Sequence, residues 1–574
     1  MQGVFNMKTR SVVLIGCGAV LLIFVLTFLI GFMIGLRPQA NKISQNSWLV
    51  LNPSGNVADY NELRNQGPFS FVGPSVDDIC GRIRHASTDG KIKGIIIRPG
   101  FAKINFANLN EINAALDDFK KSGKPVYAHG EMLDQKDYML CAMADTVYMD
   151  PSASGGLILE GITASVMFYK EALQKIGVKM HVMQSGEFKG AGELYNRTSL
   201  SPGTEANMRR VFKNRYDLLK NHIGKLRGLD SLRVSEIFEQ RPDMIINAAS
   251  AQQYGLIDGV TSWDQLKKKL GIEDDDKLVS LEDYNDPKVS PGGQIALINL
   301  SGNITQGSER SHGFEQTISA AKVEKILQQV KRDGAKAVVL RINSPGGSAL
   351  ESELIYQKLQ QLDIPVVVSM GVMAASGGYY ISCGGDYIFA DPYTITGSIG
   401  VIMAIPEAVE LGNKLGIDSQ TINYGKYSGG VSIFEKYDPE MLASLERNSQ
   451  KVYTEFKQRV MTARKISSEQ IDAVAEGRVF SVQDAKDIHL IDEVGGIQAA
   501  IDKAAKMAKL TKYGVKKYPA KIGFFDLLRQ GNLFKMAASV VRYGDLSLQE
   551  RLQQYLRQTI DTNQWLYFCP YKLD

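Results

Sequence analysis

The hydrophobic positions of this chain form short apolar runs that alternate with longer amphipathic segments. The runs GIIIRP (residues 94–99) and AVVLRIN (residues 337–343) have the length and composition of strands buried on both faces. Each run is followed by apolar residues at helical spacing, in residues 108–123 and 349–363. Because strands alternate with helices, the pattern predicts βαβ units, a largely parallel sheet and an α/β fold.

The chain repeats this pattern with a period of about 240 residues. WLVLNPSGNV (residues 48–57) matches IALINLSGNI (residues 295–304), and YGLIDGV (residues 254–260) matches IHLIDEV (residues 488–494). The period is far longer than that of a solenoid repeat, so we interpret it as the duplication of a whole domain.

Two dipeptides mark the starts of long helices at corresponding places in the two halves. Ser201-Pro202 and Asp438-Pro439 each combine a typical N-cap residue with a proline, which is favoured at the first helical position. Amphipathic sequence follows both dipeptides. The sequence therefore predicts one long helix in each half.

Composition and pattern divide the chain into five segments. A polar stretch that contains proline and glycine, at residues 273–293, predicts a linker between the two repeats. The predicted organisation is a cytoplasmic N-terminus (1–10), a transmembrane anchor (11–36), an N-terminal domain (45–275), a C-terminal domain (293–510) and a tail (511–574).

The tail has no counterpart in the first half. A capping box at residues 547–550 precedes apolar residues on one helical face, which are Leu548, Leu552, Tyr555 and Leu556. We expect an amphipathic helix there. It packs on its own domain, makes an oligomer contact or lies on a membrane surface.

The anchor is predicted from residues 11–36, a run without any charged residue. At 1.5 Å per residue a helix of this length crosses a hydrocarbon core of roughly 30 Å. A cleaved signal peptide is the alternative, but its apolar core is only about 7–15 residues long. Lys8 and Arg10 favour an N-terminus inside and the bulk of the chain outside, although Arg37 and Lys42 follow the span.

Composition argues against several other classes of protein. The net charge of +4 over 574 residues gives no support to nucleic-acid binding. Five cysteines without paired spacing argue against a disulfide framework. The sequence contains neither HExxH nor CxxC, so we expect no metal and no other cofactor.

The two repeats differ where chemistry is expected. The second half carries a lone hydroxyl, Ser376, within AASGG, where the first half has Gln135. It also carries the pair Gly346 and Gly347 after a buried strand, where backbone N–H groups can form an oxyanion hole. A serine here is either a nucleophile or a small residue that packs a helix.

A nucleophilic serine needs a base. The first half reads SGEFKG where the second reads YGKYSG, so Lys189 lies opposite Ser428. Lys426 is the alternative, because in an extended segment two residues apart share a face. The two halves are therefore complementary, with the nucleophile in one and a candidate base in the other.

A Ser–Lys pair is a known variant of the serine–base arrangement. The lysine must be a neutral amine to accept the proton. Burial disfavours the charged form, so we expect a site sealed between domains or subunits.

The order of four motifs resembles one family. INSPGGS, MAASGGYYIS, ADPYTITGSIGV and GRVFSVQDAKDIHLIDEVGG together are similar to the signal peptide peptidase A family, also called protease IV. The long, duplicated, membrane-anchored form of that family resembles residues 10–510. The resemblance implies two tandem spiral domains of the Clp protease/crotonase-like superfamily.

The resemblance also implies roles for individual residues. Ser376 matches the family's nucleophile, and Lys189 matches the general base that the N-terminal domain supplies. Ser398 in TGSIG matches a serine that orients the lysine. Gly347 and Gly377 match the oxyanion hole. The motif around Lys189 reads GEFKGA instead of the common GxYKSA, and the lysine is kept.

The family further implies a bacterial cytoplasmic membrane protein with periplasmic catalytic domains and a homotetrameric, bowl-like assembly. Its substrates would be cleaved signal peptides and other hydrophobic peptides, and residues 11–36 would contact membrane lipid.

Three other readings remain open at this point. Crotonase-like enzymes bind acyl-CoA thioesters with similar glycine-lined oxyanion holes, but Ser376 would then have no role. A non-catalytic membrane scaffold derived from a protease is the second. The third is a classical Ser-His-Asp hydrolase, in which the histidine would be one of His129, His181 and His489.

Overall fold

The computed structural model describes part of the chain, namely residues 43–62, 73–284, 294–307, 316–428, 432–521 and 566–568. Within these ranges no helix is both long and apolar enough to cross a membrane. The predicted anchor (11–36) and the predicted tail helix (547–556) lie outside the described residues.

The described part of the first half has a sheet of six parallel strands in the order β11-β7-β5-β3-β1-β12. Its strands are β1 (Ser47–Leu51), β2 (Ser54–Asn56), β3 (Ile92–Ile97), β4 (Gly100–Lys103), β5 (Val126–Gly130), β6 (Met132–Leu133), β7 (Thr146–Met149), β8 (Gly156–Ile158), β9 (Lys179–Ser185), β10 (Ile245–Ile246), β11 (Gly259–Val260) and β12 (Leu278–Ser280). Its helices are Val76–Thr88, Phe106–Lys120, Gln135–Cys141, Lys170–Ile176, Glu193–Asn196, Pro202–Arg227, Ser231–Glu239, Ala248–Gln253 and Trp263–Lys269.

The second half repeats this plan, with described strands in the order β22-β20-β18-β16-β13-β24 and with β19 and β23 branching from β18. Its strands are β13 (Ile295–Ser301), β14 (Asn303–Ile304), β15 (Thr317–Ile318), β16 (Ala337–Ser344), β17 (Gly346–Ser348), β18 (Val366–Ala375), β19 (Tyr387–Ala390), β20 (Ile395–Gly397), β21 (Val401–Glu407), β22 (Val479–Ser481), β23 (Glu493–Val494), β24 (Val515–Tyr518) and β25 (Leu566–Phe568). Its helices are Ala320–Arg332, Ala349–Gln360, Gly377–Ser382, Val409–Lys414, Pro439–Arg464, Ile471–Val474, Val482–Asp487 and Ile497–Met507.

The apolar runs form central strands because both of their faces are covered. In β16, Val338 and Leu340 belong to one hydrophobic cluster, whereas Ala337 and Val339 belong to another on the opposite face. A strand buried on both sides has no polar face, which explains the continuous run AVVL. The prediction of an α/β fold with largely parallel sheets is confirmed.

The two predicted helix starts are confirmed. The Ser201 side chain accepts the N–H of Thr204, and the Asp438 carboxylate accepts the N–H groups of Glu440 and Met441. A proline occupies the first turn of each helix, where its missing N–H costs nothing.

The two halves interlock. β9 of the first half pairs antiparallel with β21 of the second, over Lys179–Ser185 and Val401–Glu407. The first-half helix Pro202–Arg227 also reaches the second half, where Arg215 donates to the carbonyl of Tyr393 at 2.6 Å. A segment of the first half is thereby fixed against the second half.

Two strands extend the sheets beyond the predicted domain limits. β12 lies inside the predicted linker (273–293) and pairs with β1. β24 lies beyond residue 510 and pairs with β13. These strands are only three (LVS) and four (VKKY) residues long and occupy the ends of their sheets, so neither carries an apolar run long enough to predict a strand.

Candidate active site

Ser376 stands at the end of β18, directly before the helix Gly377–Ser382. Its φ is 57°, in the left-handed region that residues other than glycine rarely adopt, and its side chain is fully buried. The Ser376 N–H donates to the carbonyl of Gly397 at 2.7 Å. Strained backbone of this kind persists only where the surrounding structure enforces it, and it is concentrated at functional sites.

The two glycines after Ser376 allow the helix to approach its neighbours closely. A Cβ on Gly377 would lie 2.7 Å from Ser352 Oγ, and one on Gly378 would lie 2.8 Å from the carbonyl oxygen of Ser344. Both distances are shorter than a van der Waals contact, so neither position accepts a larger residue without movement. The glycines of the AASGG motif therefore serve helix packing around Ser376.

Lys189 follows β9 and precedes the short 3-10 turn Gly190–Gly192. Its side chain is only 1% exposed, which is rare for lysine. Lys189 Nζ lies 2.7 Å from Ser376 Oγ, 2.7 Å from the Ser398 carbonyl oxygen and 2.9 Å from Ser398 Oγ. The structure therefore brings together three of the predicted site residues from two halves of the chain.

The loop at residues 476–478 holds this arrangement. The Ser398 N–H donates to the carbonyl of Arg478 at 2.6 Å, and Ser398 itself has a φ of 55°. Gly477 has a φ of 79°, and a Cβ there would lie 2.5 Å from the Lys189 backbone nitrogen. Only glycine fits between the loop and Lys189, and this need explains the glycine that opens the GRVF motif.

The geometry suits a neutral amine. Two N–H groups of Lys189 can donate to the Ser398 carbonyl and hydroxyl oxygens, which leaves the nitrogen lone pair for the proton of Ser376. Burial removes water from around the amino group, and this loss of solvation disfavours the ammonium form. The arrangement can thus activate the Ser376 hydroxyl.

The glycine pair of β17 lies beside Ser376. A Cβ on Gly377 would be 3.3 Å from the Gly347 nitrogen, so the amides of Gly347 and Gly377 are neighbours. Gly347 has a φ of 145°, and a Cβ there would be 2.1 Å from the carbonyl oxygen of Ile304. The Gly346 N–H donates to Ser344 Oγ instead, so Gly347 and Gly377 are the better oxyanion candidates.

In the first half, Gln135 occupies the position that corresponds to Ser376, and the polar groups around it are hydrogen-bonded to one another. The Gln135 amide exchanges hydrogen bonds with the backbone of Gly161 at 2.8 and 3.0 Å. The Asp137 carboxylate accepts the N–H groups of Phe101 and Ala102 at 2.9 and 3.2 Å. Burial raises the pKa of Asp137 to about 6. These N–H groups are already used, so the described part of this half offers neither nucleophile nor oxyanion hole here.

Two of the three histidines considered as bases have other partners for their side chains. His129 Nε2 lies 3.0 Å from the carbonyl of Thr261, and His181 Nε2 lies 2.9 Å from Glu407 Oε2. In the part of the chain that the structure describes, the Ser376 hydroxyl is hydrogen-bonded to Lys189 and to none of the three candidates, which are His129, His181 and His489. Nor do the described residues contain a cluster of His, Cys, Asp or Glu that could hold a metal ion.

Lys426, the alternative lysine, is exposed to solvent and contacts Glu440. Its side chain is 67% exposed, and Nζ lies 3.9 Å from the Glu440 carboxylate. Residues 425–428 form a bend and a turn, so the expectation of an extended segment around Lys426 is wrong. Because its side chain lies in solvent and Ser376 is fully buried, Lys426 is not placed to act as the base.

The sequence analysis missed a buried ionic cluster that joins the two halves. The Arg341 guanidinium lies 3.4 Å from the Asp59 carboxylate and 3.1 Å from that of Glu111, and Asn110 donates to Asp391 at 3.1 Å. Burial raises the pKa of Asp391 to about 7, and it also raises the pKa of Glu111. The arginine before INSPGGS was the only signal in the sequence.

Glu193, four residues after Lys189, was also missed. Its carboxylate accepts the Ser201 N–H at 2.7 Å and the Ser201 hydroxyl at 2.6 Å, and it accepts the Thr204 hydroxyl at 2.8 Å. Glu193 therefore ties the segment that carries Lys189 to the start of the helix Pro202–Arg227. Its position in the FKGAGE motif was the available signal.

Comparisons with known proteins agree with the duplication. The family model described as peptidase family S49 matches residues 118–276 and 358–511, and the two ranges begin about 240 residues apart. The model for Clp protease matches residues 309–393. Two copies of one peptidase unit thus occupy corresponding parts of the two halves.

Three relatives match along most of their length. Protease 4 of Haemophilus influenzae is 32% identical over 529 residues, which cover 84% of this chain and 83% of that protein. Protease 4 of Salmonella typhi is 31% identical over 79% of this chain and 75% of that protein. A chloroplastic serine protease named SPPA, from Arabidopsis thaliana, is 28% identical over 84% of this chain and 72% of that protein.

Proposed function

Since this chain belongs to peptidase family S49, we propose that Ser376 and Lys189 form the catalytic dyad of a membrane-anchored serine endopeptidase. The serine peptidase class follows from the family and its relatives. The main support for the proposed dyad is the 2.7 Å distance between Lys189 Nζ and Ser376 Oγ, in a site where both side chains are buried. Of the two lysines considered as bases, Lys189 is hydrogen-bonded to Ser376, whereas Lys426 is exposed to solvent beside Glu440.

The proposed acylation begins with a neutral Lys189. Ser376 Oγ attacks the peptide carbonyl carbon while its proton passes to Lys189 Nζ. The carbonyl oxygen becomes negatively charged, and the N–H groups of Gly347 and Gly377 stabilise it. Lys189 then gives the proton to the departing amine, which leaves an acyl ester on Ser376.

Deacylation uses the same groups. Lys189, neutral again, takes a proton from a water molecule that attacks the ester, and the carboxylic acid product leaves as Ser376 Oγ regains the proton. Ser398 is a positioning residue in both steps, because its carbonyl and hydroxyl oxygens hold the lysine amine. No cofactor enters this cycle.

The proposed substrates are cleaved signal peptides and other apolar peptides. An anchor at residues 11–36 would keep the enzyme beside substrates that lie in the bilayer, with the catalytic halves on the periplasmic side of a bacterial cytoplasmic membrane. We also propose a homo-oligomer, a tetramer by family resemblance. These proposals rest on the uncharged run, its flanking charges and the family.

The test compares four forms of the full chain in detergent: wild type, Ser376→Ala, Lys189→Ala and Lys426→Ala. We expect the hydrolysis of an apolar peptide ester to fall at least about 10³-fold in the first two variants, because dyad members act as a unit. Lys426→Ala is the matched lysine control and should keep wild-type kcat/KM, because the Lys426 side chain is exposed to solvent and lies beside Glu440.

Three outcomes would contradict parts of the proposal. Loss of activity in Lys426→Ala with activity kept in Lys189→Ala would place the base in the second half. Full activity in Ser376→Ala would remove the nucleophile. Failure of a serine-reactive fluorophosphonate to label wild-type Ser376, together with no esterase activity, would favour a non-catalytic scaffold; bound acyl-CoA would instead favour a crotonase-like enzyme.

A further inference from the structure

Glu476, in the loop that packs against Lys189, has a backbone conformation that glutamate rarely adopts. Its φ is 61°, in the left-handed region. A glycine would take this conformation without steric cost, whereas a residue with a Cβ is strained there. Strain of this kind persists only where neighbouring groups enforce it, so the contacts of Glu476 show what a glutamate contributes at this position.

Every polar group of Glu476 has a hydrogen-bond partner. The Tyr453 hydroxyl, on the helix Pro439–Arg464, accepts the Glu476 N–H at 3.0 Å and donates to Glu476 Oε1 at 2.8 Å. Burial and this hydrogen bond raise the pKa of Tyr453, so its hydroxyl keeps the proton that it donates. Glu476 Oε2 accepts the Glu187 N–H at 3.0 Å, and the Glu476 carbonyl accepts the Phe188 N–H at 2.7 Å. These four hydrogen bonds offset the cost of the left-handed backbone.

Two of these hydrogen bonds hold the residues directly before Lys189. Glu187 and Phe188 are consecutive in the chain, and one residue of the second half accepts both of their N–H groups. Gly186 permits this close approach, since a Cβ there would lie 2.8 Å from the carbonyl carbon of Glu476. The backbone that leads to the candidate base is therefore fixed against Glu476.

The other side of the same loop holds the segment that contains Ser398. The Gly477 N–H donates to the carbonyl of Ile399 at 2.7 Å, and the Ser398 N–H donates to the carbonyl of the third loop residue at 2.6 Å. Residues 476–478 therefore join the backbone before Lys189 to the backbone around Ser398. The contacts between the Lys189 amine and Ser398 depend on this link between the two halves.

The repeat supports a role for this glutamate that is tied to the lysine. The alignment of YGLIDGV with IHLIDEV places Pro242-Asp243 of the first half opposite Glu476-Gly477, and a short strand and a helix follow in both halves. Proline cannot adopt a φ of 61°. The alignment also places Ser428 opposite Lys189. The reciprocal pair of segments thus lacks both the glutamate and the lysine.

We propose that Glu476 is a positioning residue for the base Lys189, because its carboxylate and its carbonyl fix the backbone before the lysine relative to Ser398. This inference rests on the proposed function. The hydrogen bonds of Glu476 reach the main chain before Lys189 rather than the amino group, so Glu476 acts through the lysine. If this backbone loosens, water can reach the amino group, and hydration favours the ammonium form, which cannot accept the Ser376 proton.

The test uses Glu476→Gly in the full chain in detergent. Glycine adopts a φ of 61° freely and keeps both main-chain hydrogen bonds, so the variant removes only the carboxylate. We expect labelling of Ser376 by a fluorophosphonate to slow about 10- to 100-fold, as for a catalytic group displaced by about 1 Å. The pH of half-maximal labelling should also rise, because a hydrated amine loses its proton at higher pH. A merely structural role would not move this pH.

Two further variants test the contact itself. Tyr453→Phe removes the hydroxyl that binds Glu476 twice, and it should slow labelling in the same way. Because both residues act through one contact, the double variant with Glu476→Gly should be slowed by less than the product of the two single effects. Glu476→Gln should recover most of the rate, since its amide has the shape of the carboxylate and keeps an oxygen for the Glu187 N–H.

The matched control is Asp492→Gly, in the same half. The Asp492 carboxylate also binds one backbone N–H and one side chain, namely the Ile388 N–H at 2.8 Å and the Arg464 guanidinium at 2.9 Å. These partners lie in β19 and at the last residue of a helix rather than in the segment before Lys189. Asp492→Gly should lower the urea midpoint and keep the wild-type rate and pH of half-maximal labelling.

The results separate this inference from the proposed function. An unchanged pH of half-maximal labelling in Glu476→Gly would overturn the positioning role, and normal labelling of wild-type Ser376 would leave the peptidase proposal standing. Equal changes in Glu476→Gly and Asp492→Gly would also overturn it, because they would reflect a general loss of stability. If wild-type Ser376 is not labelled at all, the peptidase proposal fails and this inference fails with it.

Discussion

Replacing Ser398 by alanine should slow catalysis without abolishing it. The substitution removes the hydroxyl that lies 2.9 Å from Lys189 Nζ and keeps the carbonyl oxygen at 2.7 Å. Lys189 would then hold one buried N–H without this acceptor. A buried donor left without a partner costs about 1–3 kcal/mol. At about 1.4 kcal/mol per tenfold change in rate, we expect kcat/KM to fall about 5- to 150-fold.

The assay for this prediction is the rate at which a fluorophosphonate probe modifies Ser376, measured beside peptide-ester kinetics. Because the probe needs no extended binding site, its rate and kcat should fall by the same factor while KM stays constant. Ser398→Gly should behave like Ser398→Ala, since glycine tolerates a φ of 55° but also lacks the hydroxyl.

The control is Thr396→Ala, two residues away. The Thr396 hydroxyl is fully buried and donates to the carbonyl of Ala374 at 2.7 Å, so its loss should reduce stability but not slow probe labelling. Our reasoning about Ser398 would be refuted if Ser398→Ala kept the wild-type labelling rate. It would equally be refuted if Ser398→Ala were as inactive as Lys189→Ala, or if only KM changed.

Two further predictions concern the oxyanion candidates and the buried cluster. Gly347→Ala should lower kcat about 10²–10³-fold, because the new Cβ would lie 2.1 Å from the Ile304 carbonyl oxygen and would displace the Gly347 N–H; unchanged single-turnover acylation would contradict this. The pKa of Asp391 is raised to about 7 in the folded chain, whereas an unfolded aspartate releases its proton above about pH 4. Between these values only the folded chain binds the proton, so the free energy of unfolding should fall as pH rises from 4 to 7. Asp391→Asn should flatten this slope in urea unfolding at pH 5 and pH 8, and an unchanged slope would show that Asp391 is not its source.

The sequence alone was sufficient for much of the local structure. Apolar runs such as AVVL and helix starts such as Ser201-Pro202 predict elements because each depends on residues a few positions apart. The repeat also showed which half had kept Ser376 and which had Lys189. The comparison of the repeats could not identify the base as Lys189 or Lys426. Lys189 lies opposite Ser428, and Lys426 is only two residues before Ser428.

The tertiary structure favours Lys189, because the proposed dyad joins two residues that are 187 positions apart and lie within hydrogen-bond distance. Lys189 reaches Ser376 since β9 pairs with β21 in one register, with Ser185 opposite Val401. The sequence of neither strand identifies the strand with which it pairs, because this pairing depends on how the two halves pack.

The same limit explains the residues that the sequence analysis missed. The fit of Gly477 against Lys189, the contact of Arg341 with Glu111 and the position of β25 between β17 and β21 all join distant parts of the chain. Sequence periodicity reports which face of an element is buried, whereas these contacts depend on which element covers that face. The sequence by itself therefore determined the elements and the candidate chemistry, and only the packed chain determined which candidates meet.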